Sequence, residues 1–277
     1  MPSVLGPQQV AEFGAKGFTY ARGLFAPDEV DLLTQAMEKD PAVRDAILDR
    51  RDVEGRSTRI ALWNRAGDSV YGLAARSRRM ADTAAQLLGG PVYHYQSKLT
   101  AKEPKVGGAW EWHQDYGYWY YTGCLRPDML SVMIGLDRTT RQNGCLQIAV
   151  GSHRMGRIDH TPLSPTQNEV DPRRMEPILE RCAIEYCELG PGDALIFHCN
   201  AIHRSDANHS DARRWTLLVC YNRTDNDTVW KSDDRYHVPL DVVDDGAIRR
   251  AGLKFAGDGN AEHFTSRPYV PDVRKAA

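Results

Sequence analysis

The chain has 277 residues, of which 42% are hydrophobic and 26% charged, and its formal net charge is −2. This composition is typical of a soluble globular protein, and the small negative charge argues against a broad nucleic-acid-binding surface. No apolar run is long enough to span a bilayer, and the first sixteen residues lack a signal-peptide pattern, so we expect a cytoplasmic protein. The six cysteines form no Cys-x-x-Cys pair, which favours reduced, buried thiols over a zinc site.

Residues 1–90 predict a mostly helical N-terminal part. Val10 and Phe13 stand at helical spacing, and Pro27 with two following acids is typical of the first turn of a helix. A further helix is predicted over residues 77–88, with Ser77 as its N-cap and two glycines at its end. Residues 50–64 are highly charged and show no clear periodicity, which indicates a surface loop or a lid.

Residues 91–225 predict a β-rich core. Short runs of strand-forming residues are separated by Gly, Pro and Asn, which is typical of a sandwich or barrel. The predicted strands cover residues 92–100, 110–115, 129–136, 145–150, 184–189, 194–198 and 215–221. We therefore expect a single mainly β domain over residues 1–277, with helices packed outside the core and a C-terminal extension over residues 226–277. Residues 257–277 are predicted to be a tail on the surface.

The pair His113 and Asp115, with His203 ninety residues later, predicts a metal site. Side chains at i and i+2 on a strand point to the same face, so both can reach one ion. Two histidines and one carboxylate leave three coordination positions open, which is the arrangement of non-haem Fe(II) oxygenases. Nine histidines make one such pair weak evidence, and His198 is the strongest rival ligand.

A second pattern follows His203. Ser205 could donate a hydroxyl, and Arg213 with Arg214 could supply the cation that an anionic co-substrate needs deep in a pocket. If Trp215 faces outward into helix packing, strand alternation turns Arg214 inward, and Arg213 is then a solvated surface residue.

Four segments together resemble the phytanoyl-CoA dioxygenase family of Fe(II)/2-oxoglutarate oxygenases. They are FGAKGFTYARGLFAPDEVDLL (13–33), WHQDYGYW (112–119), NGCLQIAVGSH (143–153) and PGDALIFHCNAIHRSDANHSDARRW (191–215). The resemblance implies a double-stranded β-helix, or jelly roll, that binds Fe(II), 2-oxoglutarate and O2. It also implies that His113, Asp115 and His203 hold the iron. Arg214, assisted by Ser205, would bind the distal carboxylate of 2-oxoglutarate.

The segment YQSKLT (95–100) is similar to the corresponding strand of ectoine hydroxylase. By that likeness, Thr100 and Lys98 are candidates for contacting 2-oxoglutarate, and Gln96 for contacting substrate. This chain has lysine and threonine where that enzyme has arginine and asparagine. Trp119 falls at an aromatic position that packs against substrate there.

The expected reaction is hydroxylation of an unactivated C–H bond with release of succinate and CO2. Halogenating relatives lack the carboxylate that Asp115 supplies, so its presence favours hydroxylation. No general acid or base is expected beyond the metal site. The sequence indicates neither a nucleic-acid nor a membrane partner, and it does not indicate an oligomeric state.

The substrate is expected to be a small polar molecule: an amine, an amino acid or an aminophosphonate such as 2-aminoethylphosphonate. Besides Gln96 and Trp119, candidate substrate residues are Tyr116, Tyr118, Arg126 and Asn64. About half of the aromatic cluster around Trp119 should pack in the core instead. The alternatives are hydroxylation of an acyl-CoA or a secondary metabolite, a cupin-type isomerase, and a non-catalytic metal-binding jelly roll.

Overall fold

The computed structural model describes residues 5–165, 167–230, 237–256 and 264. In its first ninety residues, helices alternate with short strands: α1 (Pro7–Lys16), β1 (Phe18–Ala21), α2 (Pro27–Lys39), α3 (Pro41–Ala46), β2 (Leu48–Arg51), β3 (Ser57–Trp63), α4 (Val70–Arg76) and α5 (Arg78–Leu88). The predicted helices are confirmed within this part. Ser77 precedes α5 as expected, but its hydroxyl donates to the carbonyl of Ala74 instead of capping the helix.

The β-rich part begins at residue 92. Its elements are β4 (Val92–Lys102), β5 (Trp110–His113), α6 (Tyr116–Trp119), β6 (Met129–Gly135), β7 (Leu146–Ala149), β8 (His160–Ser164), β9 (Gln167–Val170), α7 (Pro172–Arg181), β10 (Ile184–Cys187), β11 (Ala194–His198), β12 (His203–Ser205), β13 (Arg214–Arg223) and α8 (Ala247–Ala251). In this part the sequence analysis missed the strands β8, β9 and β12 and the helices α6, α7 and α8. Apart from Phe264, the tail predicted over residues 257–277 lies outside the described residues.

Two sheets pack face to face. The larger has the strand order β1-β11-β6-β13-β4-β3-β2, and the smaller has the order β10-β7-β12-β5. Met133 and Leu218 of the larger sheet share a buried cluster with Leu146 and Ile148 of the smaller one. The strands β8 and β9 form a separate hairpin.

Successive side chains of β13 point alternately toward the helices and toward the smaller sheet. Leu217 and Val219 belong to the core that also contains residues of α2, α4 and α5, so they face the helices. Trp215 lies on this outer face too, and Arg214 therefore points toward the smaller sheet, as predicted. Burial of each large aliphatic side chain on the outer face contributes about 1.5–3 kcal/mol to folding.

The charged segment over residues 50–64 was wrongly predicted as a loop or lid. Its ends form the antiparallel pair β2 and β3, and β3 pairs in turn with β4. Alternation within β3 is visible once the neighbours are known, because Ala61 and Trp63 belong to the core on the helix side whereas Ile60 and Leu62 line the cleft. The segment therefore extends the larger sheet and forms part of the wall of the site described below.

Among the described residues, no helix combines the length and the hydrophobicity that crossing a bilayer requires.

Candidate active site

His113 and His203 are direct neighbours on paired strands. His113 ends β5, His203 begins β12, and the two stand opposite each other in the antiparallel register. Their ring centroids are 4.2 Å apart. The pairing of β5 with β12 thus brings together two histidines that are ninety residues apart in the sequence.

Backbone hydrogen bonds orient both imidazoles. Nδ1 of His113 donates to the carbonyl of Glu111 at 2.6 Å, and Nδ1 of His203 donates to the carbonyl of Ala201 at 2.9 Å. This leaves each Nε2 with a free lone pair, the form in which histidine binds metals. Burial lowers the pKa of His203 and holds that of His113 well below its usual value, so both rings are neutral at ordinary pH.

Asp115 lies close to the two histidines although, contrary to the prediction from sequence, it does not belong to the strand. β5 ends at His113, and Asp115 has helical dihedral angles (φ −56°, ψ −40°) immediately before α6. Its Oδ1 lies 3.9 Å from Nε2 of His203, and its Oδ2 accepts a hydrogen bond from Ser131 at 2.7 Å. One potential ligand atom from each of His113, Asp115 and His203 lies within 4.8 Å of the others. The spacing was predicted correctly, but a turn, not strand alternation, brings the carboxylate into place.

Gln114, between His113 and Asp115, anchors this turn through hydrogen bonds to distant segments of the chain. Its side chain donates to the carbonyls of Gly156 and Asn200, both at 2.8 Å, and its backbone N–H donates to Nε2 of His160 at 3.0 Å. Burial lowers the pKa of His160 to about 4, so the ring stays neutral and can accept that bond. Sequence analysis did not single out His160 and missed this supporting role.

The rival ligand His198 lies elsewhere. Its Nδ1 accepts a hydrogen bond from the backbone of Asn200, and its ring packs against Phe13 and His153. Within the described part of the chain, only the cluster of His113, Asp115 and His203 meets the geometric requirement for a metal site.

Arg214 is a buried cation without a carboxylate partner among the described residues. It is 2% exposed, and its Nη2 reaches only the sulfur of Met133, at 3.7 Å. Nothing in the described part of the chain accepts a hydrogen bond from its Nε, and burial lowers its pKa to about 10. A buried guanidinium in this state is unfavourable unless an anion binds there.

Two hydroxyl groups lie close to Arg214 in the sheet. Thr216 follows it on the same face of β13, and its buried Oγ1 has no hydrogen-bond partner among the described residues. Thr100, predicted to contact 2-oxoglutarate, stands opposite Thr216 in the register of β4 and β13. The inner face thus offers a guanidinium Nε and a Thr216 hydroxyl that no described residue satisfies.

Ser205 is held by a residue that the sequence analysis missed. Lys102 is fully buried, and its Nζ donates to the Ser205 hydroxyl at 2.8 Å and to the Asp206 carbonyl at 2.6 Å. Lys102 also pairs directly with Arg214 in the strand register. Burial, together with the charge of Arg214, holds the pKa of Lys102 well below its usual value. Lys102 could have been found from strand alternation, which places residues 98, 100 and 102 of β4 on the same face of the sheet.

A cleft of about 640 Å³, including the volume open to solvent, lies beside the metal cluster. Four predicted residues line it together with His113 and Asp115: Gln96, Lys98, Tyr118 and Trp119. The Tyr118 hydroxyl donates to the carbonyl of Asn168 at 2.9 Å, which fixes the ring in the wall. Arg50 and Trp110 also line the cleft and were not predicted.

Three predicted substrate residues are not among those that line this cleft. The Tyr116 ring is buried behind the cleft wall in a cluster that includes Trp119, and its hydroxyl donates to the carbonyl of Cys124. Arg126 is half exposed and forms salt bridges with Asp128 and Asp225. Asn64 is half-buried beyond the end of β3. Their positions give no support to a role in substrate binding.

The residues of the site fit Fe(II) and 2-oxoglutarate. Two neutral imidazoles and one carboxylate suit a divalent iron ion, and the unused hydrogen-bonding groups of Arg214 and Thr216 suit a carboxylate. Comparison with known proteins identifies the family. The model of the phytanoyl-CoA dioxygenase (PhyH) family matches residues 13–216. The chain belongs to this family.

Curated relatives agree with the family assignment. The chain is 36% identical to an L-proline trans-4-hydroxylase of Streptomyces griseoviridis over 174 residues, which cover 57% of this chain and 65% of that enzyme. The match thus spans slightly less than two thirds of the proline hydroxylase. Identity to an ectoine dioxygenase of Sphingopyxis alaskensis is 30% over 236 residues, which cover 80% of this chain and 77% of that enzyme.

A solved structure shows the same fold. EctD from S. alaskensis, crystallised with 2-oxoglutarate and 5-hydroxyectoine, superposes with a TM-score of 0.72 and 24% identity, covering 88% of this chain and 89% of that chain. The predicted family and jelly-roll fold are confirmed, as are the class of 2-oxoglutarate-dependent dioxygenase and its cofactors. The cytoplasmic location remains a prediction.

Proposed function

We propose that this PhyH-family member hydroxylates an unactivated C–H bond of a small polar molecule, such as an amine, an amino acid or an aminophosphonate like 2-aminoethylphosphonate. One observation carries the proposal: the His113–Asp115–His203 cluster borders an aromatic-lined cleft, and the inner face of the larger sheet carries Arg214, which has no carboxylate partner among the described residues. Relatives named for L-proline and ectoine support a substrate of this size.

In this proposal His113, Asp115 and His203 hold Fe(II), while Arg214 and Ser205 bind the distal carboxylate of 2-oxoglutarate with Thr100 nearby. When bound, iron and 2-oxoglutarate supply the O2-dependent oxidation that inserts a hydroxyl group and yields succinate and CO2. The backbone acceptors of the two histidine Nδ1 atoms keep the ligand rings in fixed orientations.

The cleft residues orient the substrate and exclude water. Tyr118 and Trp119 form an apolar wall next to His113, and Gln96 offers an amide that can accept and donate hydrogen bonds. Asp115 is committed to the metal and to Ser131, and both histidine Nδ1 atoms are occupied by backbone carbonyls. The chain's role at the reacting carbon is therefore positioning, without a protein acid or base.

The test is turnover of 2-oxoglutarate by the purified protein with Fe(II) and ascorbate. The panel contains L-proline, ectoine, 2-aminoethylphosphonate and an acyl-CoA, and mass spectrometry follows succinate and the gain of one oxygen. We expect substrate-stimulated succinate formation and an oxygenated product from a small polar compound. Absence of both iron binding and 2-oxoglutarate turnover would exclude the oxygenase function, whereas oxygenation of the acyl-CoA alone would exclude the proposed substrate class.

A further inference from the structure

A completely buried lysine joins the two sheets next to Arg214. Lys102 ends β4 and stands opposite Arg214 in the register of β4 and β13, so both side chains lie on the inner face of the larger sheet. Its Nζ reaches the smaller sheet, where it donates to the hydroxyl of Ser205 at 2.8 Å and to the carbonyl of the same residue at 3.2 Å. It also donates to the carbonyl of Asp206 at 2.6 Å. Lys102 therefore connects Ser205 with the surroundings of Arg214.

The contacts of Lys102 determine how the Ser205 hydroxyl can be used. An ammonium group has three N–H donors and no acceptor, and three oxygen acceptors surround Nζ of Lys102. The hydroxyl oxygen of Ser205 is thus an acceptor toward Lys102, while its one proton has no acceptor among the described residues. That proton is left for a bound molecule.

Lys102 forms no salt bridge with a carboxylate of the described residues. The neighbouring Asp206 directs its carboxylate to Arg204 at 2.9 Å and to Gln147 at 2.5 Å instead. Lys102 and Arg214 thus place two buried positive charges side by side, and their repulsion is unfavourable in a buried site. A carboxylate bound near both cations would offset this repulsion and could accept the free proton of Ser205.

We propose that Lys102 is a positioning residue for the co-substrate. It fixes the Ser205 hydroxyl as a donor to the distal carboxylate of 2-oxoglutarate, and it adds a second positive charge to the subsite that contains Arg214. Lys102 thereby strengthens the selection of a 2-oxo dicarboxylic acid over a 2-oxo monocarboxylic acid of equal length. This inference rests on the proposed function, in which Lys102 has no role.

The test compares two 2-oxo acids that differ only at the far end. In 2-oxopentanoate a methyl group replaces the distal carboxylate of 2-oxoglutarate, and the remaining atoms of the chain are the same. Calorimetry measures binding of both acids to protein loaded with Ni(II), so that no turnover is needed, and displacement by 2-oxoglutarate measures the weaker ligand. Lys102→Met should weaken binding of 2-oxoglutarate by about 10- to 100-fold and that of 2-oxopentanoate by less than about 3-fold.

A double-mutant cycle examines whether Lys102 acts through Ser205. In the Ser205→Ala background, Lys102→Met should weaken 2-oxoglutarate binding by a factor at least about 3-fold smaller than in the wild type, because the hydroxyl that Lys102 orients is gone. Lys102→Gln, which keeps N–H donors without the charge, should retain part of the affinity and serves as the second variant if Lys102→Met does not fold. Lys105→Met is the matched control, since Lys105 is an exposed lysine paired with Asp211. Thermal unfolding verifies that each variant is folded.

Unchanged 2-oxoglutarate affinity in Lys102→Met would overturn the proposal. Equal weakening of both 2-oxo acids would overturn it as well, because it would show that Lys102 only holds the two sheets together. Additive losses in the cycle would contradict an action through Ser205. Failure of the wild type to bind 2-oxoglutarate, which is titrated first, would instead refute the proposed function.

Discussion

The two faces of the larger sheet are built from alternate residues of the same strands, yet they do different work. The outer face of β13 presents Leu217 and Val219 to the helices, and both are completely buried in apolar surroundings. The inner face presents Arg214 and Thr216, each with a buried polar atom that no described residue satisfies. Over residues 214–217 of β13, apolar burial therefore lies on the outer face and the unsatisfied polar atoms lie on the inner face.

This contrast shows how the fold can support an unfavourable site. An unpaired buried cation costs several kcal/mol, and the inner face carries Arg214 and Lys102 side by side in the register. The apolar packing on the outer face offsets that cost. Substitutions on the two faces should consequently separate stability from ligand binding, and the following predictions test that separation.

The largest effect is expected from Asp115→Ala, which removes the charged metal ligand. We expect iron content and hydroxylation both to fall by more than about 100-fold, because loss of even an outer-shell partner of a metal site costs about 10- to 100-fold. Metal analysis and succinate formation measure these changes. Asp211→Ala, at an exposed aspartate paired with Lys105, is the control. Iron retention at the wild-type level in Asp115→Ala would show that the metal cluster is wrongly identified.

On the outer face, Leu217→Ala should destabilise the protein by about 2–5 kcal/mol, because it leaves a cavity in a fully buried core. Urea unfolding measures this loss. Affinity for 2-oxoglutarate should stay within about 3-fold of the wild type at a temperature where the variant is folded. The neighbouring substitution Thr216→Val, on the inner face, should have the opposite pattern of effects. It should lower the affinity for 2-oxoglutarate and change the free energy of unfolding only slightly. Equal effects of the two changes on both quantities would contradict the division between the faces.

A smaller effect is expected on the affinity for 2-oxoglutarate, and it should distinguish Arg214 from the adjacent Arg213. Arg214→Gln should weaken 2-oxoglutarate binding by about 10- to 100-fold, the value of a charged hydrogen bond in a buried site. Arg213→Gln should change it by less than about 2-fold, because Arg213 is partly exposed and pairs with Glu38 at 2.8 Å. Calorimetric titration with 2-oxoglutarate measures both. Similar losses in the two variants would mean that the effect is electrostatic at long range, not a direct contact.

The candidate site was largely predictable where local spacing carried the information. His113, Asp115 and His203 were identified correctly as a cluster, and so was the inward direction of Arg214, because strand alternation links it to Trp215. Arg126 and Tyr116 were chosen for their residue types alone. Charge and aromaticity do not reveal which side of a short helix or loop faces a cavity, and the structure places both outside the cleft wall.

Residues without a distinctive pattern could not be found in this way. Arg50 and Lys102 became visible only when strand pairing placed them next to Trp110 and Ser205. Residues 50–64 resembled a charged loop because β3, which packs on the helices with one face and borders the cleft with the other, lacks a simple alternation of apolar and polar residues. His160 was missed because its partner, the backbone of Gln114, is 46 residues away in the sequence.

By itself, the sequence determined the family, the class of fold, the cofactors and the three side chains that the structure brings together as a candidate metal site. These depend on residue type, on spacing within short segments and on strand periodicity, all of which are local properties. Tertiary structure alone decided how Asp115 turns toward the histidines and that Arg214 is buried without a carboxylate partner among the described residues. Those properties depend on pairing between distant strands, because the electrostatic state of a buried group is set by whatever the fold brings next to it.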